Sequence, residues 1–309
     1  MQRTREFLRG IGLPGADPGD LPSSAKRFPD GAQYRVEIPS VEGPEVLSAV
    51  FAEADARGVL VHRVSQGSGG MLQTDGEMAA MAGIAAERSV EVSLFARPLA
   101  GWDTGAAALA AGAGSVVAQA RGTEQLVYVL EDIRRTCEHG FRSVLVTDLG
   151  VLSVAAAMRA EGEFPAALRF KVSVQMGLAN PASIRLAERT GANTYNVPTD
   201  LSLAQLAAIR QAIDIPLDIY VESPDDQGGF VRHFEIAEIV RVAAPVYLKF
   251  GLRNSPNIYP AGTHLLDTAI SLARERVRRA EISLALLDRY FPDATGSALP
   301  AADLAVPVR

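Results

Sequence analysis

The sequence has little cysteine, no long apolar run and no cluster of basic residues. Cys137 is the single cysteine in 309 residues, which excludes a disulfide framework, a four-cysteine zinc site and a protein-ligated iron–sulfur cluster within one chain. Nothing approaches a membrane-spanning length of apolar residues, and the first residues, MQRTREFLRG, lack the apolar core of a signal peptide. We therefore expect a cytoplasmic protein with no membrane partner.

The charge balance argues against a nucleic acid partner. The formal net charge is −6 and the sequence pI is about 5.4, and no basic run with interleaved aromatic residues occurs. Hydrophobic residues make up 48% of the chain, enough for the core of one barrel-sized domain or two smaller ones. A small molecule or a short peptide is the expected substrate.

Strand-like runs alternate with helix-like segments along most of the chain, which is typical of parallel β-α-β units. A closed (β/α)8 barrel of the TIM type fits if one run, 115–120, is an excursion from the barrel. An open doubly wound sheet is the competing fold, but no G-x-G-x-x-G motif follows the first strand. The nine predicted strands begin at residues 34, 59, 90, 115, 143, 168, 193, 217 and 246.

Three segments are expected. Residues 1–33 are rich in Gly, Pro and Asp and are predicted to be an irregular lead-in that covers the barrel bottom or a neighbouring subunit. Residues 34–292 form the barrel, and residues 293–309 a flexible tail. The barrel ends in a long helix from about 263 to 290, whose apolar positions predict self-association into a homo-oligomer.

Alternation within the strands predicts a polar barrel interior. In a barrel, the apolar residues face the helices and their neighbours point inward. Val36 and Ile38 therefore place Arg35 and Glu37 inside. By the same argument the inward set also contains Ser93, Arg97, Ser173, Gln175, Asp218, Tyr220, Glu222, Tyr247, Lys249 and Arg253.

Such a set is either a buried ion-pair network or an active site. Arg35, Glu37, Asp218 and Lys249 could tie the strands together as ion pairs. Polar groups near the C-terminal ends of barrel strands favour an active site instead, since barrel enzymes place their chemistry there. We therefore expect a site at that end.

Several roles are open. Glu222, Asp148 and Lys249 are the candidate catalytic residues. A divalent metal on Glu37 and His62, with Glu222, is one option, although no H-E-x-x-H spacing supports it. The candidate substrate-binding residues are Arg63, Arg97, Ser173, Gln175, Asn180, Asn196, Tyr220 and Arg253.

Two loops are further candidates. The glycine-rich loop GSGG at 67–70 offers backbone N–H groups to an anion or is a plain mobile loop. The acidic loop ESPDDQGG at 222–229 lies over the barrel mouth as a lid or a turn.

Three motifs resemble the collagenase-like peptidase family (U-thirty-two). They are VLVTDLGVL at 144–152, KVSVQMGLANPASIRLAERTGA at 171–192 and NVPTDLSLAQLAAI at 196–209. The resemblance implies a TIM-barrel-like catalytic domain over roughly residues 34–255. Relatives in that family carry out hydroxylation with a four-cysteine iron–sulfur site, but this chain has YVESPDDQGG where they carry cysteine. The cluster chemistry is therefore not expected here.

Three functions follow. The first is hydrolysis of an amide-like bond, with Glu222 or Asp148 as general base and the basic residues as anion or oxyanion stabilisers. The second is a lyase, aldolase or isomerase reaction next to a carbonyl, with Lys249 or a metal stabilising an enolate. The third is a non-catalytic barrel scaffold.

Overall fold

The structure, a computed structural model, describes residues 1–11, 19–97 and 118–308. Eight parallel strands pair in chain order and the last pairs with the first, so the barrel is closed. The predicted (β/α)8 barrel is confirmed. The strands are β1 Tyr34–Pro39, β2 Arg63–Ser65, β3 Glu91–Ala96, β4 Ser143–Val146, β5 Arg169–Val172, β6 Thr194–Asn196, β7 Leu217–Glu222 and β8 Val246–Phe250.

Several helices begin at residues whose side chains cap them. Thr74 accepts a hydrogen bond from the Glu77 amide and forms a capping box, and Asn180 caps the helix that begins at Pro181. The helices are α1 Gln2–Gly10, α2 Pro44–Arg57, α3 Asp75–Arg88, α4 Gly122–Glu138, α5 Leu149–Ala160, α6 Pro181–Thr190, α7 Leu203–Ala212, α8 Ile236–Ala243 and α9 Leu266–Tyr290.

The predicted ninth strand is not a strand in the part that the structure describes. Residues 118–120 form a turn and bend before α4, while residues 115–117 and the helix predicted near 104–111 lie outside the described residues. The barrel closes with the eight remaining strands, as the excursion hypothesis requires.

The in-and-out alternation holds for the first strand. Val36 and Ile38 are buried in the main apolar core between barrel and helices, while Glu37 is aligned with Arg63 on one neighbouring strand and with Lys249 on the other. Parallel register therefore brings three inward charged residues to one level of the barrel.

The chain ends cover the barrel bottom. Phe28 of the lead-in packs edge-on against Tyr247, with ring centroids 5.3 Å apart, and its ring lies 4.0 Å from the Arg35 guanidinium carbon. Asp303 binds Arg35 through both carboxylate oxygens, at 2.7 and 3.0 Å. Asp303 of the C-terminal segment thus supplies the carboxylate partner that the fully buried Arg35 needs.

The long helix α9 packs chiefly against α2. Small and apolar residues line its buried face. The packing of this face within one chain accounts for the apolar positions at helical spacing in the sequence, so a second subunit is not needed to explain them. Self-association stays a prediction. The buried apolar positions are Ala269, Ala273, Val277, Ala280 and Leu287. None of the described helices is long and apolar enough to cross a membrane.

Candidate active site

Four charged side chains fill the middle of the barrel. This charged layer consists of Glu37, Arg63, Lys171 and Asp218, whose side chains are at most 1% exposed. Arg63 reaches Glu37 with Nε at 2.7 Å and Asp218 with Nη2 at 2.5 Å. Lys171 donates to Glu37 and lies 3.0 Å from Asp218 Oδ2. Two positive and two negative groups are thus paired with one another. Glu37 and Asp218 belong to the set proposed for the ion-pair alternative, whereas Arg35 pairs with Asp303 instead.

The layer shifts the pKa values of its members. Burial alone would raise the pKa of Glu37, but Arg63, Lys171 and Lys249 hold it well below its usual range. Burial, assisted by repulsion from Arg63, lowers the pKa of Lys171 to about 8. Glu37 is therefore a carboxylate at neutral pH and is available as a fixed negative charge beneath the barrel mouth.

Above the charged layer, at the C-terminal ends of the strands, lies a polar cavity of about 190 Å³, the mouth cavity. It collects inward-facing residues from most of the strands, which is the usual location of barrel active sites. The structure brings together six residues that the sequence placed in this site, and a further residue, Asp226, that the sequence did not assign. The six are Arg97, Ser173, Gln175, Asn196, Tyr220 and Lys249, and Asp226 comes from the acidic loop.

Lys249 lies on the floor of the mouth cavity and is 2% exposed. Its Nζ donates to Asn196 Oδ1 at 2.6 Å, lies 3.3 Å from Glu37 Oε1 and sits 4.4 Å from the Tyr220 ring centroid. Asn196 is fixed in turn because its Nδ2 donates to the Asp218 carbonyl at 3.0 Å. A carboxylate, an amide oxygen and an aromatic face thus hold one ammonium group at the cavity surface.

The walls of the mouth cavity carry a cationic side chain that suits an anion, Arg97, and a carboxylate that suits proton transfer, Asp226. Arg97, at the end of β3, stands 5.4 Å from the Phe95 ring, and burial lowers its pKa. Gln175 Oε1 is buried and accepts no hydrogen bond from the described residues. Loss of hydration raises the pKa of Asp226, although Arg97 opposes the shift. The cavity therefore offers a cation, an amide acceptor and a carboxylate to a ligand.

The glycine-rich loop does not present its amides to a ligand. Glu42 accepts hydrogen bonds from the Gly67 amide at 2.7 Å and the Ser68 amide at 3.1 Å. Gly67 has a different role, because a Cβ there would lie 2.5 Å from the Tyr259 ring. The missing side chain lets Tyr259 close one side of the mouth cavity.

Glu222 does not face into the barrel, contrary to the prediction. A bulge between Tyr220 and Glu222 shifts the register with β8 and turns the carboxylate outward. Glu222 accepts from the Arg253 amide at 3.0 Å and pairs with His233 Nε2 at 3.1 Å. His233 Nδ1 contacts Ser283 Oγ at 2.5 Å. This Ser–His–Glu row cannot supply a nucleophile, since Ser283 is fully buried against the core.

Three further predicted residues lie outside the mouth cavity. Asp148 caps α5 by accepting from Val151 N at 2.8 Å, and its other oxygen accepts from Ala120 N at 3.1 Å. Asn180 is an exposed cap of α6. The Arg253 side chain is 63% exposed and lies 3.8 Å from Asp225. Capping signals and strand-end signals look alike in sequence, which explains the first two errors.

The predicted metal ligands do not converge. His62 accepts a hydrogen bond from Val36 N at 3.0 Å through Nδ1 and contacts the Ser297 carbonyl at 2.8 Å through Nε2. Burial lowers its pKa to about 4. Glu37 belongs to the charged layer, as does Arg63, and Glu222 points outward. Within the described ranges, no group of three or more His, Cys, Asp or Glu could hold a metal ion.

The iron–sulfur cluster of the family's relatives does not fit this chain either. Cys137 is the only cysteine in the sequence. It is buried on α4, and burial raises its pKa to about 11. A cluster needs several thiolate ligands.

Some residues of the mouth were not predicted. Ser65, whose Oγ donates to Glu37 at 2.8 Å, ends the short β2 strand, whose alternation is ambiguous. Tyr259 and Asn257 come from the irregular segment after β8, where no periodicity exists to read. Asp226 lay within the acidic loop that the sequence indicated as a lid, but its role was not assigned.

Fold and cavity together define a (β/α)8-barrel protein with a polar site at the strand C-termini. Residues 115–223 match the model of Peptidase family U32, which confirms the resemblance identified from the motifs. No curated protein matches the chain.

Several solved structures are similar to this chain at low sequence identity. The U32 peptidase Mk0906 is 14% identical with a TM-score of 0.39, covering 64% of this chain and 73% of its own. A truncated 3-deoxy-D-arabino-heptulosonate 7-phosphate synthase from Thermotoga maritima is 13% identical with a TM-score of 0.48, covering 91% and 96%. Oxaloacetate acetylhydrolase in complex with oxalate is 12% identical with a TM-score of 0.44, covering 86% and 85%.

Proposed function

We propose that the mouth cavity is the active site of an enzyme that acts next to a carbonyl group of a small anionic substrate. The observation that carries this proposal is the Lys249 ammonium group, held on the cavity floor by Asn196 at 2.6 Å and Glu37 at 3.3 Å. A fixed positive group in a site sheltered from water stabilises charge that develops on a carbonyl oxygen without reorganising.

Arg97 is the proposed binding residue for the anionic group. A guanidinium binds a carboxylate through two parallel hydrogen bonds, and Arg97 lines the same cavity as Lys249. Gln175, with its unused Oε1, would accept a hydrogen bond from a substrate hydroxyl. The arrangement suits a 2-oxo acid, in which a carboxylate adjoins a carbonyl.

Asp226 is the proposed general base, because the two carboxylates favoured from sequence lie outside the cavity. Its raised pKa brings it closer to neutral pH, where proton transfer is most effective. Asp226 takes a proton from the carbon beside the carbonyl, and the electron pair moves onto the carbonyl oxygen. The resulting enolate is stabilised by Lys249, and protonated Asp226 returns the proton. Return of the proton to the same carbon exchanges its hydrogen with solvent, and return to the enolate oxygen gives the enol isomer, so the reaction belongs to the isomerase class.

Hydrolysis of an amide-like bond is the second candidate. The match to a peptidase family favours it. The same Lys249 would stabilise a tetrahedral oxyanion, and Asp226 would take a proton from water. The 190 Å³ cavity limits such a substrate to a short peptide or a small amide.

Isotope exchange tests the first candidate. The protein is incubated in deuterium oxide with short 2-oxo acids and, separately, with dipeptides, and NMR follows deuterium incorporation at C3 and release of free amine. We expect C3 exchange that Lys249→Met slows by about 10²–10³-fold, the usual cost of one oxyanion donor. Arg97→Gln should raise KM. Arg253 is an exposed arginine outside the cavity, so Arg253→Gln should change neither KM nor the rate of C3 exchange.

Each other outcome has a defined meaning. Amide cleavage that depends on Lys249, without C3 exchange, supports the second candidate. If borohydride traps the substrate on the Lys249 amine, Lys249 acts by forming a Schiff base with the carbonyl rather than by stabilising charge. If Lys249→Met leaves turnover and biological activity unchanged in a folded protein, the active-site proposal is wrong and the scaffold alternative holds.

A further inference from the structure

A second, smaller cavity adjoins the mouth cavity. It measures about 140 Å³, and Ser40, Tyr220, Asp226 and Tyr259 line both spaces. Arg276 of α9 lines this second cavity but not the mouth cavity. The side chains shared by the two cavities are therefore all that lies between a ligand group in the second cavity and the mouth cavity, where Lys249 is found.

Arg276 is a buried cation without an adequate partner. The residue is 5% exposed. Among the described residues, its Nη1 donates to the Ser40 carbonyl at 3.4 Å, and its Nε finds no acceptor. Among the ion pairs of the described residues, none involves Arg276. Arg35, also buried, binds Asp303 with two hydrogen bonds. A buried charge is costly unless it is paired with an opposite charge. Arg35 has such a partner in Asp303, and Arg276 has no equivalent partner among the described residues.

The acidic residues around this cavity are engaged elsewhere. Glu42 acts on Arg276 through its charge, but its carboxylate accepts from the Gly67 and Ser68 amides. Asp225 accepts from the Asn254 amide at 2.5 Å. The remaining lining carboxylate, Asp226, has a raised pKa and is the group assigned to proton transfer. The missing anion is therefore expected from outside the chain.

We propose that this second cavity is an anion subsite, in which Arg276 binds a carboxylate or phosphate at the far end of the same substrate. The inference rests on the proposed function for the identity of the ligand. It makes the substrate a dianion, with one negative group at Arg97, the reacting carbonyl at Lys249 and the second negative group at Arg276. The small volume of the cavity admits such a group but no large substituent.

Binding measurements test the subsite without requiring turnover. Isothermal titration calorimetry compares 2-oxobutyrate, a monoanion, with 2-oxo dicarboxylates of four to six carbons and with 2-oxo acids that carry a terminal phosphate. We expect the best dianion to bind at least about tenfold more tightly, the gain from one charge-assisted hydrogen bond. The carboxylate and phosphate series separate the two sources of the anion.

The variants assign that gain to Arg276. Arg276→Met should bring the affinity ratio of dianion to monoanion close to one, Arg276→Lys should retain part of it, and Arg274→Met, an exposed arginine on the same helix, should leave it unchanged. Without ligand, Arg276→Met should not lower the unfolding midpoint, because it removes an unpaired buried charge. If Arg276 served only to stabilise the fold, Arg276→Met would lower the unfolding midpoint.

The failures can be told apart. If the monoanion binds through Lys249 and Arg97 but dianions have no advantage, or keep it in Arg276→Met, the subsite is overturned and the proposed function stands. If no 2-oxo acid binds the wild-type protein, the proposed function fails and the subsite fails with it. Should Arg276→Met not fold, the wild-type ratio and Arg276→Lys decide the question.

Discussion

The charged layer and the mouth cavity contain the same kinds of residue but differ in how those residues are satisfied. In the charged layer, Lys171 contacts two carboxylates and Arg63 contacts the same two. In the mouth cavity, Lys249 has one carboxylate at 3.3 Å and faces open space. An inward polar face is therefore not in itself evidence of an active site. The partners of each charge decide whether it holds the barrel together or is available to a ligand.

The largest effect is expected from breaking the charged layer. Lys171→Met removes one cation from both Glu37 and Asp218, in a site with almost no exposure to water. Asp218 then keeps the ion pair with Arg63, and Glu37 keeps Arg63 and the more distant Lys249. Removing one member of a buried ion pair costs about 3–5 kcal/mol. We expect the free energy of unfolding, measured by urea denaturation, to fall by that amount.

Lys249→Met is the matched control, since it makes the same chemical change at the floor of the mouth cavity. Glu37 would still receive hydrogen bonds from Arg63, Lys171 and Ser65, so the loss of stability should be clearly smaller. Equal losses for the two variants would contradict the distinction between layer and mouth.

A pH effect is expected from His62, in contact with the C-terminal segment. Its pKa is about 4 in the folded protein, against about 6.5 for a histidine in an unfolded chain. Between these values the unfolded chain binds more protons, so the stability contribution is complete above pH 6.5 and is lost as the pH falls toward 4. The full change is roughly 3 kcal/mol.

Urea denaturation between pH 7 and pH 4 measures this loss. His62→Gln, which cannot titrate, should flatten the slope, whereas His264→Gln, at an exposed position, should leave the slope as in wild type. A wild-type slope in His62→Gln would mean that other groups cause the acid sensitivity.

The barrel, its strand order and the inward direction of most polar residues were predictable, because strand alternation and helix capping are local signals. Val36 and Ile38 outside and Glu37 inside follow from a period of two. The same rule failed at Glu222, where a bulge inserts one residue and reverses the direction of the side chain. A bulge depends on the neighbouring strand and leaves no mark in the sequence of its own strand.

The partners of the charges were beyond sequence reasoning. The pairing of Arg35 with Asp303 joins residues that lie far apart in the sequence, and Arg276 reaches the second cavity from a helix on the outside of the barrel. Nothing local distinguishes Arg276 from Arg274, two positions earlier on the same helix. Burial separates them, and burial is set by how α9 packs on α2.

The smallest expected effect concerns Asp148, which the sequence favoured as a catalytic base and the structure uses as a helix cap. Asp148→Ala removes the hydrogen bonds to Val151 N and Ala120 N. We expect a loss of about 1 kcal/mol in the free energy of unfolding, with C3 exchange unchanged. Thr74→Ala, which removes the cap of α3, is the matched control and should behave alike. A different result would contradict this assignment: Asp148→Ala abolishes turnover, Thr74→Ala does not, and both proteins stay folded. The catalytic acid–base group would then be Asp148 rather than Asp226. A charged residue with hydrogen-bond partners of its own would then act in catalysis, which the contrast between the charged layer and the mouth cavity rules out.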